Sequence, residues 1–421
     1  MNTNTTIIYI TREIERALGT VPSEHYYIIS NKTRYGETIK AQYPDFVILI
    51  DSQGKDLLGT TDLLGHTSTK ELISKLDSLP PDQKSPVSIL VFKNTIRVET
   101  SAKLLNSTLL NPTALLSERV ENKISQLRWL GTLGTKYLPP HAAKVVKMIT
   151  WKGENPFIIQ WNHGHTGDGT MLIKTVDDLR AVQEKFPERI ARISAFVNGP
   201  SFTVNVVVTA SRILIGNISY QITGMQPFTD GTFSTVGNDW SLAKKLLSPE
   251  DMKAVEIMAN EIGNKLQTDG WRGLYGIDFI KYEKTGKIFL IEINARQPAS
   301  TTFESALQEK AREKGARGLT IFEAHIRALC GLPIDQDMIQ IEGGAQVIQR
   351  VTKNVQEIFD DISTSLQKLN YKVVAYQNTG YNADLLRIQS DQGIMEDHGS
   401  FNTSGREIAE AIKSAHFKIE I

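Results

Sequence analysis

Two carboxylates and a carboxamide are spaced so that they can meet on one face of a β-hairpin within residues 274–296, LYGIDFIKYEKTGKIFLIEINAR. A polar, glycine-containing stretch near Thr285 predicts a tight turn between two strands. Pairing around that turn places Asp278 directly opposite Glu292. Asn294 lies two residues further along the second strand, so its side chain shares a face with that of Glu292.

This arrangement is typical of a site for Mg²⁺ and a phosphate group. Facing carboxylates repel each other, and apolar residues flank them, so a bound cation would relieve an otherwise unfavourable pair. Mg²⁺ accepts carboxylate and amide oxygens together with phosphate oxygens. Arg296, two residues beyond Asn294, carries a guanidinium that can bind a phosphate or carboxylate through two hydrogen bonds. The alternative on these residues alone is an amphipathic hairpin with a hydrated acidic face.

A glycine-rich segment follows a predicted strand in the sequence PFIIQWNHGHTGDGT. Backbone N–H groups of such a turn can cover phosphates, and its glycines are Gly164, Gly167 and Gly169. Glycine turns are common, so an ordinary loop is the alternative interpretation. His163 and His165 have no third ligand near them in sequence, which favours hydrogen bonding within the loop over a metal site.

Short apolar strands alternate with helical segments in the first hundred or so residues, which predicts a parallel sheet covered by helices. The strand candidates are residues 6–10, 25–29, 45–50 and 87–92. No G-x-G-x-x-G sequence follows the first strand, so no dinucleotide site is predicted there. We expect the polar segment 53–86 to be a loop-rich surface excursion. A helix is predicted over 109–134, after Asn111-Pro112 and with Asn111 as its cap.

The chain beyond residue 156 favours antiparallel strands combined with a few helices. Strands are expected at 156–161, 171–173, 191–198, 202–209 and 212–222. Helices are expected after Thr175 and over 248–267, where Ser248-Pro249-Glu250-Asp251 is a strong start signal. The last ninety or so residues predict strands at 345–351, 371–376 and 383–388, and helices at about 354–369 and 404–415. The expected fold class is therefore a combination of α/β and α+β.

The order of these motifs resembles that of the ATP-grasp superfamily. The series runs from the glycine turn through Phe196-Val197-Asn198-Gly199 and Asp278 to Glu292-x-Asn294-x-Arg296, and the resemblance covers roughly residues 105–330. It implies a Rossmann-like N-terminal domain followed by two α+β lobes that clasp ATP. The domains would be residues 1–108 (Rossmann-like), 109–330 (ATP-grasp) and 331–421 (C-terminal α+β region). Within the ATP-grasp domain, the glycine-rich lobe would span about 140–198 and the metal lobe about 199–330.

The resemblance also implies catalytic and metal-binding roles. Asp278, Glu292 and Asn294 would hold one or two Mg²⁺ ions. Arg296 would contact the transferring phosphoryl group, and Lys123, in the sequence ENKISQL, would approach the nucleotide phosphates.

Two further segments would contact the nucleotide by the same resemblance. Gly167–Thr170 would form a flap over the phosphates, and Ala195–Val197 would form a hinge whose backbone contacts adenine. The complete set expected to contact ATP is Lys123, Gln160, Gly164, Gly167, Gly169, Thr170, Ala195, Phe196, Val197 and Ser201.

The chain departs from the family pattern at two places. Gln160 stands where the family has a second lysine, at the end of the strand that enters the glycine turn. Ser194, Ala195 and Ser201 stand near the hinge where acidic residues are common, including one for ribose. Because glutamine and serine supply no charge, we expect weaker ATP binding unless another base lies beside the phosphates. The candidate bases are Lys144, Lys147 and Lys174.

The composition argues against several other classes of protein. The 421 residues carry 47 basic and 47 acidic side chains, which predicts no broad basic field for nucleic acid or an anionic membrane. No apolar run reaches about 18 residues, and the first residues lack a secretion-signal pattern, so we expect a cytoplasmic protein. Cys330 is the single cysteine and is expected to be a small buried side chain. The oligomeric state stays open, with a homodimer as the default.

These features predict an ATP- and Mg²⁺-dependent ligase that activates a carboxylate as an acyl phosphate for attack by an amine. Small-molecule carboxylate and amine substrates, of the amino acid or peptide type, would bind near Gln297–Thr302. One alternative is a carboxylase-type enzyme acting on bicarbonate, indicated by the segments GGAQVIQRV and GSFNTSGREIAEAI. A second is a regulatory nucleotide-binding protein without catalysis, which the uncharged Gln160 favours. A dehydrogenase or hydrolase lacks a supporting G-x-S-x-G, H-E-x-x-H or Walker A motif.

Overall fold

The computed structural model describes residues 5–54, 56–162, 169–355, 360–376 and 378–416. These residues form a parallel sheet, two antiparallel sheets and a short antiparallel ribbon. The expected combination of α/β and α+β structure is therefore confirmed. Within the described residues, no helix has the length and apolar composition needed to cross a membrane.

The N-terminal sheet is parallel, with strand order β3-β2-β1-β4-β5. Its strands are β1 (Thr6–Thr11), β2 (Tyr26–Asn31), β3 (Val47–Ile50), β4 (Val87–Val91) and β5 (Thr108–Leu109). The helices beside it are α1 (Arg34–Gln42), α2 (Thr60–Gly65), α3 (Thr67–Asp77) and α4 (Ile96–Leu104). A 3₁₀ turn, Ile14–Ala17, follows β1. The predicted strands of this region are confirmed.

The expectation of loops over 53–86 was wrong, because α2 and α3 lie in that segment. Leu63 and Leu64 of α2 and Leu72 and Leu76 of α3 are buried against the strands. Polar residues surround these leucines in sequence and hide the helical spacing that places Leu72 and Leu76 on one face.

The segment after β5 forms short helices instead of the single helix predicted over 109–134. They are α5 (Ala114–Glu121), α6 (Lys123–Leu130) and α7 (Thr132–Tyr137). The extended backbone of Asn122 and the positive φ of 55° at Gly131 separate them. Thr113, not Asn111, caps the first helix. Asn111 instead exchanges two hydrogen bonds with the backbone of Val91, at 2.9 and 2.7 Å.

A small antiparallel sheet comes next in the chain, with strand order β6-β9-β7-β8. Its strands are β6 (His141–Val145), β7 (Phe157–Trp161), β8 (Thr170–Ile173) and β9 (Ile190–Ala195). A 3₁₀ turn, Val146–Met148, follows β6. The helix α8 (Val176–Lys185) packs on this sheet and begins at Thr175, as predicted, with a capping box formed by Thr175 and Asp178.

The large antiparallel sheet has the order β15-β14-β10-β12-β13-β16-β18-β17, with β11 paired to β10. Its strands are β10 (Ser201–Val208), β11 (Ile213–Ile215), β12 (Ser219–Thr223), β13 (Thr235–Asp239), β14 (Gly273–Lys281), β15 (Ile288–Asn294), β16 (Ala345–Arg350), β17 (Lys372–Ala375) and β18 (Asp384–Ser390). The ribbon consists of β19 (Met395–Asp397) and β20 (Ser400–Phe401). The helices of this part are α9 (Trp240–Leu246), α10 (Pro249–Thr268), α11 (Thr301–Glu313), α12 (Ile321–Leu329), α13 (Asp360–Lys368) and α14 (Thr403–His416).

One apolar core underlies most of the large sheet and also includes side chains of the C-terminal strands and helices. Since β16, β17 and β18 continue the sheet that begins at β10, the C-terminal region shares hydrogen bonds and core with the strands before it. The domain boundaries proposed from the sequence remain predictions.

Candidate active site

A cavity of about 460 Å³ lies where the small sheet, the large sheet and the N-terminal region meet. Its walls include side chains from β7 and β9 on one side and from β10, β14, β15 and β16 on the other. Arg16 and Phe92 of the N-terminal region complete it. Most of the side chains singled out in the sequence line this one cavity, although they come from distant parts of the chain.

The hairpin of β14 and β15 brings Asp278 opposite Glu292, as the turn predicted. A bulge shifts the register between Asp278 and Phe279, so that Phe279 pairs with Leu290. The side-chain amide of Asn294 donates to Oδ2 of Asp278 at 3.0 Å. Burial, and then the negative charge of Glu292, raise the pKa of Asp278. Both effects are expected of a buried acid that faces a second carboxylate.

Lys123 and Arg296 bring positive charge to this hairpin, Lys123 beside Glu292 and Arg296 beside Asn294. The ammonium group of Lys123 forms an ion pair with Glu292 and is almost completely buried, with 5% of the residue exposed. Arg296 donates to Oδ1 of Asn294 at 2.7 Å and lies 3.2 Å from a carboxylate oxygen of Glu121. The structure therefore brings the predicted catalytic and metal-binding residues into a single cluster.

The donor set suits Mg²⁺ shared with a nucleotide. Asp278, Glu292 and Asn294 offer two carboxylates and an amide oxygen, and they line a cavity with room for phosphate oxygens. The described residues contain no group of three or more histidine, cysteine or acidic side chains arranged for a metal. A metal here would thus depend on ligands from a nucleotide or water as well as on the protein.

The predicted hinge lines the cavity through Ala195, Phe196, Val197 and Ser201. Apolar side chains surround it, namely Leu138, Pro139, Ile158, Ile280 and Leu290. The backbone N–H of Ala195 donates to Pro140 at 2.9 Å, and that of Phe196 donates to Pro156 at 3.3 Å. These two amides are engaged within the protein, so the part of the cavity beside the hinge offers an aromatic base mainly an apolar surface.

The flap is only partly described. Gly164, Gly167, His163 and His165 lie outside the described residues. Gly169 has a φ of 89° and accepts a hydrogen bond from the backbone of Trp161. Thr170 lines the cavity, and its hydroxyl accepts a 3.3 Å hydrogen bond from Gln160.

Arg192 supplies a positive charge beside Gln160 that the sequence analysis missed. The two residues face each other across β7 and β9, and Nε of Arg192 donates to Oε1 of Gln160 at 2.9 Å. None of Lys144, Lys147 and Lys174, the bases expected to compensate for Gln160, is among the side chains lining the cavity. Lys147 instead pairs with Glu188 at the surface. The only sequence signal for Arg192 is an arginine inside a mostly apolar strand, IARISA.

The segment expected to meet substrates divides into two parts. Gln297 is buried, accepts a hydrogen bond from Tyr9 at 2.7 Å and donates to the backbone of Arg16 at 2.8 Å, so it joins regions of the protein. Thr301 and Thr302 are buried too. Pro298, Ala299 and Ser300 do line the cavity. Only the middle of the predicted segment is therefore placed to contact a small molecule.

A cluster of arginines and carboxylates lies farther along the large sheet, and its members Arg16, Arg350 and Asp384 line the cavity. Arg350 donates to Asp384 at 2.9 Å, and Arg16 lies 3.6 Å from the same carboxylate. Arg387 donates to Glu15 at 2.7 Å. Nε of Arg16, Arg350 and Arg387 and Nη2 of Arg387 are buried without a hydrogen-bond acceptor. Since buried polar groups normally have partners, the N–H groups of Arg16 and Arg350, which line the cavity, are candidate donors to an anion or water.

Comparisons with known proteins agree on the architecture. Residues 120–300 match the family model described as an ATP-grasp domain. An N5-carboxyaminoimidazole synthase from Aspergillus clavatus, solved with ADP and 5-aminoimidazole ribonucleotide, superposes with a TM-score of 0.60 at 13% identity over 99% of both chains. An N5-carboxyaminoimidazole synthetase from Staphylococcus aureus gives 0.62 at 13% identity over 98% of both chains. An L-amino acid ligase from Bacillus licheniformis gives 0.60 at 13% identity over 98% of both chains. A comparison with curated proteins returned no match.

Proposed function

Because this chain has the ATP-grasp fold and carries an ATP-grasp domain over residues 120–300, we propose that it is an ATP- and Mg²⁺-dependent ligase. It would join a carboxylate to an amine through an acyl phosphate. The observation that carries the proposal is the cluster of Asp278, Glu292 and Asn294 at the wall of one cavity, with Lys123 paired to Glu292. This cluster combines a metal donor set with a cation for phosphate, which a purely structural hairpin does not need.

The nucleotide would enter with its base against the hinge and its phosphates toward the acid pair. Asp278, Glu292 and Asn294 would hold Mg²⁺, which when bound neutralises phosphate charge and polarises the terminal phosphoryl group. Lys123 and Glu292 now form an ion pair. Mg²⁺ would compete with Lys123 for the carboxylate of Glu292, and the phosphates would attract the ammonium group. Lys123 would therefore leave Glu292 and turn to the phosphates. Arg296 lies near enough to Asn294 to meet the transferring group.

The reaction then balances in two steps. A carboxylate oxygen of the first substrate attacks the γ-phosphorus, and the bond to ADP breaks. A neutral amine attacks the carbonyl carbon of the acyl phosphate, inorganic phosphate leaves, and the nitrogen loses a proton. The residues position the reactants and stabilise negative charge, which is the protein's main task in phosphoryl transfer.

We place the substrates at the end of the cavity formed by Ala299, Ser300 and the arginine cluster. Arg16 and Arg350 line that end, and they offer charge to a carboxylate or other anionic group of a substrate. Side chains of the large sheet line both this end of the cavity and the end proposed for the nucleotide.

An assay of ADP release tests the proposed reaction. The protein is incubated with Mg-ATP and a panel of amino acids and short peptides, and Glu292→Gln is compared with wild type. We expect substrate-dependent ADP release that falls by at least about a hundredfold in the variant. Glu256→Gln, at an exposed position on α10 paired with Lys253, is the matched control and should retain full activity. Equal ADP release by Glu292→Gln and wild type would refute the assignment.

A carboxylation of an amine with bicarbonate is the second candidate. It is favoured by the fold likeness to N5-carboxyaminoimidazole synthases, whose names describe a carboxylated amine. Bicarbonate would take the place of the first carboxylate substrate, and the acid pair would keep its role in holding Mg²⁺. ADP release that requires bicarbonate and an amine, and no amino acid carboxylate, would favour this reaction over the first.

A further inference from the structure

Arg192 is a buried cation on the wall of the nucleotide end of the cavity. Only 3% of the residue is exposed, yet it is among the side chains that line the cavity. It lies on β9 opposite Gln160 of β7, and the hydroxyl of Thr170 is bonded to that same glutamine. The guanidinium therefore lies beside Gln160 and near Thr170, two side chains that line the same cavity and were expected to contact ATP.

All hydrogen bonds found for Arg192 go to uncharged groups. Its acceptors are Oε1 of Gln160 at 2.9 Å, Oε1 of Gln126 at 3.1 Å and the backbone oxygen of Ile291 at 2.9 Å. Glu292 is the carboxylate whose charge acts on it, and that carboxylate is already paired with Lys123. Burial lowers the pKa of the Arg192 guanidinium to about 10, so the group is still charged near neutral pH.

A buried charge without its own counter-ion is costly in a folded protein. The cost is expected to fall when an anion enters the cavity beside it, because opposite charges attract strongly in a site that excludes water. A guanidinium with a purely structural role would be expected to have a carboxylate partner, as Arg387 has in Glu15. The surroundings of Arg192 thus favour an anionic ligand.

We propose that Arg192 is a binding residue for the polyphosphate chain of a nucleoside triphosphate, and that it supplies from β9 the positive charge that Gln160 does not supply from β7. This inference rests on the proposed function and deepens it. It removes the expectation that ATP binding is weak because Gln160 is uncharged. Gln160 becomes the side chain that holds the guanidinium in place.

Moving the charge between the two strands tests the proposal. Mg-ATP affinity is measured by calorimetry for wild type, Arg192→Gln, Arg192→Lys and the double variant Gln160→Lys/Arg192→Gln. We expect Arg192→Gln to weaken binding by about tenfold to a hundredfold, as for loss of a charged hydrogen-bonding group. The double variant should recover most of that loss, because the charge returns at the neighbouring position. Arg180→Gln, on the exposed face of α8 and paired with Asp177, is the charge-matched control and should bind as wild type.

Folding is checked by thermal unfolding of each variant. If Arg192→Gln does not fold, Arg192→Lys and the double variant still carry the comparison, because both keep a cation at this wall. A merely structural role predicts that the moved charge does not restore binding in a folded double variant, and that result would overturn the proposal. Unchanged affinity in folded Arg192→Gln would overturn it as well.

Inorganic tripolyphosphate separates this inference from the proposed function. It is titrated in parallel because it carries the phosphate charge without adenine. Binding of tripolyphosphate that depends on Arg192, in a protein that releases no ADP with any substrate, would support the inference and refute the ligase. ATP turnover that is indifferent to Arg192→Gln would do the reverse. Absence of binding for both Mg-ATP and tripolyphosphate in wild type would refute both.

Discussion

The ion pair of Lys123 and Glu292 is the contact that a bound nucleotide and metal would be expected to break. Lys123 begins α6, and the backbone at this helix start is held by Asn162, whose side-chain oxygen accepts from the N–H of Ile124 at 3.1 Å. Asn162 is also the last described residue before the glycine turn. The start of α6 is therefore held both by Glu292 and by the residue that precedes the glycine-rich segment.

Glu304 provides a residue-scale prediction about pH. It is buried between Asn205 and Asn217, and burial raises its pKa from 4.5 to about 7. Between these values the folded protein keeps a proton that the unfolded chain has lost. The free energy of unfolding should therefore fall as pH rises from about 4.5 to 7, by up to about 1.4 kcal/mol per pH unit, and the contribution is fully present only below the lower value.

Urea unfolding of wild type and Glu304→Gln over about pH 5 to 8 measures this contribution. Glutamine stays neutral at every pH. The unfolding free energy of wild type should therefore fall relative to that of the variant as pH rises. Burial lowers the pKa of His325 to about 3, so His325 makes the unfolding free energy rise with pH. This effect is the same in wild type and variant and cancels in the difference. A difference that does not vary with pH would show that Glu304 does not titrate in this range.

The acid pair, Asn294, Arg296 and Lys123 could be predicted because local spacing and an ordered motif series identify them. Arg192 could not, because its importance depends on Gln160, which is adjacent only through the pairing of β7 and β9. The arginine cluster was also missed, because its members come from segments that lie even farther apart in the sequence. Arg387 meets Glu15 across 372 positions of the chain, and a single sequence does not show which distant segments become neighbours.

At the scale of elements, the turn after the hinge depends on a glycine. Gly199 has a φ of 150°, and a Cβ atom there would lie 2.0 Å from the backbone oxygen of Lys281. Gly199→Ala should therefore lower the free energy of unfolding by about 2–4 kcal/mol, because the clash is with backbone and cannot be relieved by a rotamer change. Denaturant unfolding with tryptophan fluorescence measures the loss.

Gly65→Ala is the matched control for this substitution. Gly65 ends α2 without a positive φ, and a Cβ atom there meets nothing within 4 Å. It should change stability by no more than about 0.5 kcal/mol. Similar effects of the two substitutions would mean that the contact of Gly199 with β14 does not constrain the hinge.

Most predicted strands lie close to their observed positions, whereas helix boundaries were predicted less well. The single strand expected at 212–222 was wrong, because β11 and β12 divide that segment, and β6 and β13 were not predicted. Apolar β-branched runs identify buried strands directly, and the hairpin register of Asp278 with Glu292 followed from one turn. The break at Asn122 within the predicted helix over 109–134 has no local signal as strong as proline. Lys123, the first residue after the break, pairs with Glu292 of β15, a tertiary contact that the local sequence does not show.

At the scale of the whole molecule, the buried pair of Glu15 and Arg387 joins the N-terminal region to the C-terminal strands. Glu15 accepts from Arg387 at 2.7 Å and from the hydroxyl of Tyr376 at 3.0 Å. Glu15→Ala should lower the free energy of unfolding by about 3–5 kcal/mol, because it leaves a buried guanidinium without its carboxylate. Scanning calorimetry would record the loss as a lower unfolding temperature.

Two control variants test whether the unpaired charge causes the predicted loss of stability. Replacing both partners, as in Glu15→Leu/Arg387→Met, should recover much of the loss because no charge is left unpaired. Glu188→Ala, which removes an exposed ion pair with Lys147, should cost no more than about 1 kcal/mol. A double variant as unstable as Glu15→Ala would show that packing, and not the unpaired charge, dominates.

The central claim is that Mg-ATP binds at the acid pair of the β14–β15 hairpin. Calorimetric titration of Mg-ATP into wild type and into Asp278→Asn/Glu292→Gln tests it most directly, since both substitutions keep the shape of the side chains and remove their charge. We predict binding to wild type that requires Mg²⁺ and weakens by at least about a hundredfold in the double variant. Equal affinity in the two proteins, or no binding to wild type at millimolar ATP with amino acids or bicarbonate present, would contradict the account.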